Sequence, residues 1–381
     1  MEQKTPAPDS CAPIRIGIVG LGGMARNHTR NLLKMPSLAT LTAGCDIQPK
    51  AVESFTEEFP GVQGFTDAES MFASGLVDAV LITTIHYTHP PLAIAALRAG
   101  LHVMIEKPAG VYSKQVREMN EVASQSDRIF GVMFNQRAEP AHRKIRELCQ
   151  GGEIGEIQRM AWTITDWYRT EAYYRAGGWR GTWAGEGGGV LVNQCPHQLD
   201  LLQWFCGMPA RIFAHCQFGR FHEIETEDAV TALMEFPNGA TGVFTTSTGE
   251  APGFNRLEIV GDSGTILFES GKLHLRKIPG LVSEHRKSSQ SSWERPEFWE
   301  CEIPTVGAVV KQHETVLRNW LEAIRDKVDL LAPGEEGIRG VELANAMHLS
   351  AWRNEWVTLP VDEDAYLAEL RSRGGAVDEP A

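Results

Sequence analysis

The sequence predicts an α/β chain of two domains, a doubly wound parallel sheet followed by a domain built on antiparallel strands. Three observations predict it. A strand-like run, Ile14 to Val19, passes directly into a glycine turn and a helical stretch. Short apolar runs then alternate with helix-length segments as far as Met133, the pattern of a parallel sheet with crossover helices. Beyond it, strand runs flank tight turns: Ala229 to Phe236 and Ala240 to Thr246 around Pro237-Asn238-Gly239, then Leu257 to Val260 and Thr265 to Glu269 around 261–264. A length of 381 residues suits two domains, each with its own core.

The first strand runs into Gly20-Leu21-Gly22-Gly23-Met24-Ala25 and a helix to about Met35. This is G-x-G-x-x-A in the strand–turn–helix context that a Rossmann dinucleotide site requires. Gly20 makes the tight turn, and Gly22 lets backbone approach a pyrophosphate at the helix N-terminus that Gly23 and Met24 open. Ala25 still permits close helix–strand packing. The second strand, Leu38 to Cys45, ends at Asp46. A carboxylate there accepts from ribose hydroxyls and repels a 2′-phosphate, which favours NAD over NADP. The alternative is a strand-end Asp capping the next helix, and nearby Lys50 keeps NADP open. Ala79 to Thr83, His102 to Ile105 and Ile129 to Met133 read as further strands, with Pro90 to Ala99 and Ser113 to Ser124 as helices. Doubly wound sheets bind ligands at the carboxyl ends of their strands, where Thr83, Thr84, His86, Glu106, Lys107 and Asn135 stand.

Lys plus Arg number 36 against 49 Asp plus Glu, a net charge of −13 with no basic cluster, which argues against nucleic acid or an anionic membrane as partner. No run is long and apolar enough for a bilayer. The proline-rich leader lacks the apolar core of a signal peptide, and residues 1–13 are expected to be disordered. Seven scattered cysteines without a CxxC pair favour neither a zinc ribbon nor a disulfide framework, so a reduced, cytoplasmic protein is expected. Cys195-Pro196-His197 is too compact for a ligand set, and His86 with His89 is a weak pair, so no metal is expected.

Four ordered segments carry a family likeness. Ala99-Gly100-Leu101-His102-Val103-Met104-Ile105-Glu106-Lys107-Pro108 is similar to A-G-K-H-V-x-x-E-K-P, and Phe134-Asn135-Gln136-Arg137 to the strand end that follows. Gly151-Gly152-Glu153-Ile154-Gly155-Glu156-Ile157 is similar to the entry into a second domain. Gly187-Gly188-Gly189, then Asn193, His197 and Asp200, are similar to G-G-G-x-x-x-D-x-x-x-H-x-x-D. Together they resemble the Gfo/Idh/MocA oxidoreductases over residues 14–275, with a continuation to 360. The resemblance implies a Rossmann domain at 14–135. It implies a C-terminal α/β domain at 136–370 with a large, open, mostly antiparallel sheet that mediates homodimer or homotetramer contacts. The implied chemistry is NAD(P)-dependent oxidation or reduction of a sugar, cyclitol or related polyol.

Oxidising a carbinol needs a base for the hydroxyl proton. Lys107 is the leading candidate, a lysine whose ordinary pKa of ~10.4 must be lowered by burial or a nearby cation. The alternative is a structural strand-end lysine. The resemblance assigns substrate-hydroxyl binding and proton transfer to His197; the alternative is a helix-start histidine with a local partner. On a continuous helix Asn193, His197 and Asp200 share one face, although Pro196 interrupts it. Asn193 departs from the family's Asp and cannot relay a proton, which moves that task to Lys107 and His197. Asp200 reads as an anchor.

Residues 162–183 gather Trp162, Trp167, Tyr168, Tyr173, Tyr174, Trp179 and Trp183. Trp162, Trp167, Tyr168 and Trp179 are candidates for a sugar's apolar face, together with Lys107, Asn193 and His197; self-packing or an oligomer contact is the alternative. Arg169, Arg175 and Arg180 read as solvated, with anion binding as the alternative. The glycines of 177–189 read as a mobile loop entering a helix. Residues 278–305 form a polar insertion, helices are expected near 308–326 and 335–352, and 371–381 is expected to be a flexible tail.

The sequence thus reads as an NAD(P)-dependent dehydrogenase or reductase acting on CH–OH groups of a sugar, glycoside or cyclitol. NAD-retaining glycoside cleavage or epimerisation and a non-catalytic dinucleotide or sugar sensor are the rival readings.

Overall fold

A computed structural model describes residues 12–305 and 311–376. Cys11, most of the leader and residues 377–381 of the tail lie outside the described residues. In chain order the strands are β1 (Ile14–Val19), β2 (Ala39–Cys45), β3 (Gln63–Phe65), β4 (Ala79–Ile82), β5 (His102–Ile105), β6 (Phe130–Val132), β7 (Ile157–Ile164), β8 (Arg211–Phe218), β9 (Glu227–Glu235), β10 (Thr241–Ser247), β11 (Asn255–Gly261), β12 (Gly264–Glu269), β13 (Lys272–Lys277), β14 (Trp299–Ile303) and β15 (Val357–Thr358). The helices are α1 (Gly23–Leu32), α2 (Pro49–Glu58), α3 (Ala68–Phe72), α4 (His89–Arg98), α5 (Ser113–Ser124), α6 (Pro140–Gln150), α7 (Glu171–Arg175), α8 (Pro196–Cys206), α9 (Val282–Ser288), α10 (Gln312–Asp326), α11 (Gly337–Arg353) and α12 (Glu363–Ser372).

The chain divides into two compact units. The first holds residues 12–110, 115–135 and 311–337; the second holds 111–114, 136–305 and 338–376. The first unit is a six-stranded sheet in the order β3-β2-β1-β4-β5-β6, parallel at every pairing. All four residues of β4 are buried, as a strand covered on both faces requires. That sheet order is the one dinucleotide-binding α/β folds use.

The sequence division at residue 135 runs the second domain unbroken to 370, whereas 311–337 falls in the first unit. The reason is the apolar face of α10. Val316, Leu317, Trp320 and Leu321 are buried at helical spacing, and Trp320 packs under β6 at Gly131.

The second unit is built on a nine-stranded sheet, β14-β13-β12-β11-β7-β10-β9-β8-β15. Only β10 and β7 pair in parallel; the other neighbours are antiparallel. Both expected hairpins form, β9–β10 and β11–β12. Alternation puts Val230, Ala232 and Met234 inside while Thr231 and Leu233 face out. The polar insertion contributes α9 and adds β14 at one edge of the sheet. Among the described residues no helix is long and apolar enough to cross a membrane.

Candidate active site

In the first unit the glycine turn is tied down from both sides. Gly20 has φ +88°, and its N–H donates to the Cys45 carbonyl at 2.8 Å while its own carbonyl accepts from Thr83 Oγ1 at 2.6 Å. A Cβ at Gly20 would meet Thr84 Cγ2 at 2.8 Å and the Thr83 and Thr84 backbone at 2.9 Å, so only glycine fits. By contrast, a Cβ at Gly22 or Gly23 would meet nothing within 4 Å. The N-cap of α1, Gly22, offers no side-chain cap, and the first turn carries no acidic residue. An uncapped, positively polarised helix end beside open space fits a pyrophosphate. Met24, in that first turn, is 38% exposed.

Asp46 does not cap α2, whose N-cap is Gln48; it braces the turn before that helix. Its Oδ2 accepts from Leu21 N–H at 2.8 Å and its Oδ1 from Gln48 N–H at 2.9 Å, holding the glycine turn and the entry to α2. A carboxylate has about four lone-pair positions, which leaves capacity for ribose hydroxyls.

At the end of β5, Glu106 is buried, and its Oε1 lies 2.6 Å from Nε2 of the fully buried His28 on α1. Its Oε2 accepts from Lys107 N–H at 3.1 Å. Burial alone raises such a carboxyl. The hydrogen bond and charge of His28, with Lys107 and His313 beyond, outweigh it and hold Glu106 at about 2. His313, on α10, brings its ring within 5.7 Å of the His28 ring. The Lys107–Pro108 peptide is cis. His89 spans the loops after β4 and β5, with Nδ1 2.8 Å from the Pro108 carbonyl and Nε2 3.0 Å from the Thr84 carbonyl. Its full burial pushes its pKa down. His86 is buried beside it, the rings 6.1 Å apart edge to face. Asn135 donates from Nδ2 to Gln312 Oε1 at 2.8 Å. Sequence reasoning missed His28, Gln312 and His313, and weighed His89 only as half of a weak metal pair. A histidine on the inward stripe Ala25, His28, Leu32 was a usable signal for the first; Gln312 and His313 arrive from about 180 residues downstream with no local mark.

The second unit departs from expectation around His197. Asn193, His197 and Asp200 do not share one helix, because α8 starts at Pro196 with Cys195 as its N-cap. Proline has no N–H to donate and so sits at the first helical turn, which leaves Asn193 in the turn before it. His197, in that first turn, is 8% exposed. Asp200 is the anchor expected of it, paired with Arg137. Gly187 to Gly189 are buried and precede the helix by several residues, rather than opening it. A Cβ on Gly189 would meet the Glu227 carbonyl at 2.0 Å, and the Glu227 carboxylate accepts from Gly189 and Leu191 N–H. Close approach, not mobility, accounts for that glycine.

The aromatic run also divides. Trp162 is 1% exposed in the core, stacked on Phe205 at 6.3 Å and edge-on to Phe244 at 6.4 Å, so its ring packs the sheet and is removed from the sugar-facing set. Trp183 packs on His348 and Trp352. Trp167, Tyr168 and Trp179 retain exposed surface. Arg169 and Arg180 are not simply solvated. Arg169 lies over Trp167 and Tyr173, and Arg180 over Tyr173 and Trp179, at 4.6–5.6 Å. The Tyr173 hydroxyl faces Asn193 Nδ2 at 3.1 Å and Gln194 Nε2 at 3.2 Å. Among the described residues no group of three or more His, Cys, Asp or Glu is arranged to hold a metal.

Two family models match this chain. One, described as an oxidoreductase family with an NAD-binding Rossmann fold, covers residues 14–134, and the Gfo/Idh/MocA C-terminal domain covers 142–267. A myo-inositol 2-dehydrogenase of Thermotoga maritima is 27% identical over 68% of this chain and 75% of its own length. A D-glucoside 3-dehydrogenase of Escherichia coli is 27% identical over 60% of this chain and 68% of its own. Among solved structures, the WlbA dehydrogenase from Chromobacterium violaceum, in complex with NADH and UDP-GlcNAcA, superposes with a TM-score of 0.79 at 28% identity, covering 95% of this chain and 100% of the other.

Proposed function

The chain belongs to the Gfo/Idh/MocA oxidoreductases, with their NAD-binding Rossmann domain, and on that premise we propose that it oxidises a ring hydroxyl of a sugar, glycoside or cyclitol with NAD. The observation that carries the reading is Lys107 at the carboxyl end of β5, its backbone fixed by Glu106, in the same unit as the open, uncapped start of α1.

Gly20, Gly22, Gly23, Met24 and Ala25 would hold the pyrophosphate, and Asp46 the ribose of the adenosine. Thr83, Thr84, His86, Glu106 and Asn135 would line the sheet edge towards the nicotinamide. Bound NAD would supply the hydride acceptor. Lys107 takes the hydroxyl proton at Nζ, and Glu106, ionised on its His28 partner, stabilises the ammonium that forms. His197 orients the reacting hydroxyl and shares the proton; Asn193 contributes an amide hydrogen bond. Trp167, Tyr168 and Trp179 cover the apolar face of the ring. The names of an inositol dehydrogenase and a glucoside dehydrogenase among the relatives support this substrate class.

The reading is tested with purified protein and NAD against monosaccharides, inositols and glycosides, followed at the NADH absorbance. Failure of every class to yield NADH, or an unaffected Lys107→Ala variant, overturns it. Product without NADH accumulation would indicate NAD-retaining cleavage or epimerisation instead. We place the protein in the cytoplasm on its scattered cysteines, which form no CxxC pair in the sequence. We also place its oligomer contact on the outer face of the nine-stranded sheet. There Phe213, Leu233, Val243 and Ala161 stand opposite one another across four strands, Leu233 and Val243 at 45% and 38% exposure.

A further inference from the structure

The second unit contains a buried carboxylate that the reaction above does not use. Glu186 is 1% exposed. Its Oε2 accepts from Gly181 N–H at 2.7 Å, and its Oε1 accepts from Nδ2 of Asn193. The same Nδ2 lies 3.1 Å from the Tyr173 hydroxyl. With one amide N–H directed at Glu186 and the other at Tyr173, the amide of Asn193 has a single orientation, with Oδ1 on the opposite side. The family motif places a carboxylate at position 193. This chain has an amide there and a carboxylate seven residues earlier, bonded to it.

We propose that Glu186 is a positioning residue that sets which end of the Asn193 amide meets the substrate. The proposal rests on Asn193 being a substrate contact, as read above. Both Glu186 oxygens face N–H donors, the arrangement of an ionised carboxylate, which only accepts. Once protonated at Oε1, Glu186 becomes a donor there, and Oδ1 of Asn193 can accept from it after the amide turns over. That turn presents Nδ2 in place of Oδ1. A substrate hydroxyl can pair with either end, whereas an ether or carbonyl oxygen, which only accepts, pairs with Nδ2 alone. The protonation state of Glu186 therefore selects the kind of oxygen the site accepts.

The surroundings put that choice within the working range. Burial raises Glu186; the Gly181 N–H and the Asn193 amide lower it, Glu227 raises it and Arg180 lowers it, leaving it at about 7. The facing groups are Arg180 on the segment after α7, Tyr173 and Tyr174 on α7, and Glu227 on β9, which His348 of α11 approaches at 2.9 Å.

Selective ¹⁵N labelling of asparagine side chains tests the proposal without a substrate. The Asn193 amide signal, identified by its disappearance in Asn193→Asp, should shift with a midpoint near pH 7. The shift should vanish in Glu186→Gln. A wild-type signal that stays fixed between about pH 6 and about pH 8 overturns the proposal whether or not any variant folds. With a glycoside that yields NADH, KM should change about tenfold over that range, and Glu186→Gln should flatten the KM profile while leaving the pH profile of kcat as in the wild type. A KM inflection that survives in Glu186→Gln overturns it as well. If no glycoside or cyclitol responds, the substrate reading fails, and the amide titration still decides the role of Glu186.

Discussion

Arg137 and Asp200 form a two-point ion pair sealed from water, Nε to Oδ2 at 2.8 Å and Nη2 to Oδ1 at 2.6 Å, with each side chain 1% exposed. Gln203 adds a third hydrogen bond to the carboxylate, and Trp204 lies 5.1 Å under the guanidinium. The pair fastens the turn after β6 to the middle of α8, whose first turn carries His197. Asp200→Ala leaves a buried guanidinium uncompensated and should destabilise the second unit by about 3–5 kcal/mol in urea melts. Replacing both partners with apolar residues of similar volume should restore much of the loss. A single-variant loss below about 1 kcal/mol would contradict this account.

Glu106 sets an acid limit on the first unit. Its folded pKa of about 2 lies below the unfolded value of ~4.3, so the folded state binds fewer protons between the two. The associated stability, about 3 kcal/mol, is present above pH ~4.3 and is lost as pH falls towards 2. In His28→Ala the carboxylate loses its main partner, and the melting temperature should fall less steeply over the same acid range. Parallel slopes for the two proteins would show that His28 does not hold the charge.

The glycines at 20 and 23 should fail in different ways. Gly20→Ala forces a Cβ to 2.9 Å from backbone at φ +88°, so both melting temperature and NADH affinity should drop, the former by about 1–3 kcal/mol of stability. Gly23→Ala meets open space and gains helix propensity of about 0.5–1 kcal/mol, so it should fold at least as well. It should nonetheless weaken NADH, by tenfold or so if a phosphate occupies that space. Fluorescence titration with NADH decides the matter; unchanged affinity in Gly23→Ala would remove the phosphate from the start of α1.

Lys107→Ala should lower kcat by about 10²–10⁴ on a responding substrate while NADH binding stays within a few-fold. Equal losses in binding and turnover would make Lys107 a cofactor contact rather than the proton acceptor.

On the outer sheet face, Leu233→Arg introduces a charge opposite Val243 and Phe213. Light scattering should then report a smaller assembly than the wild type. No change in mass would move the contact elsewhere.

Local order carried the first unit. β1, β5 and α5 form over the residues their apolar runs mark, because strand–turn–helix signals are written within a few residues of one another. The place of Asp46 at the end of β2 was legible for the same reason. The shared face of Asn193, His197 and Asp200 held only for a continuous helix, and Pro196, the interruption the sequence already marked, is where α8 begins. Trp162 was assigned to a pocket on residue type alone, and strand parity turned it inward. Glu186 sits among glycines with nothing in its neighbours to announce a buried acid, because its partners are a backbone amide, an asparagine and a distant strand.

Helix α10 has a consequence for how the chain is made. The nucleotide-binding unit closes its packing with Trp320 and completes its Asn135 and His28 surroundings with Gln312 and His313. During synthesis, the parallel sheet emerges first but lacks that cover until α10, about 180 residues after β6, has been translated. A fragment ending near residue 150 would therefore expose the apolar surface beneath Trp320. Folding of the N-terminal part thus waits on the C-terminal part, and premature termination leaves neither a usable domain nor a harmless one.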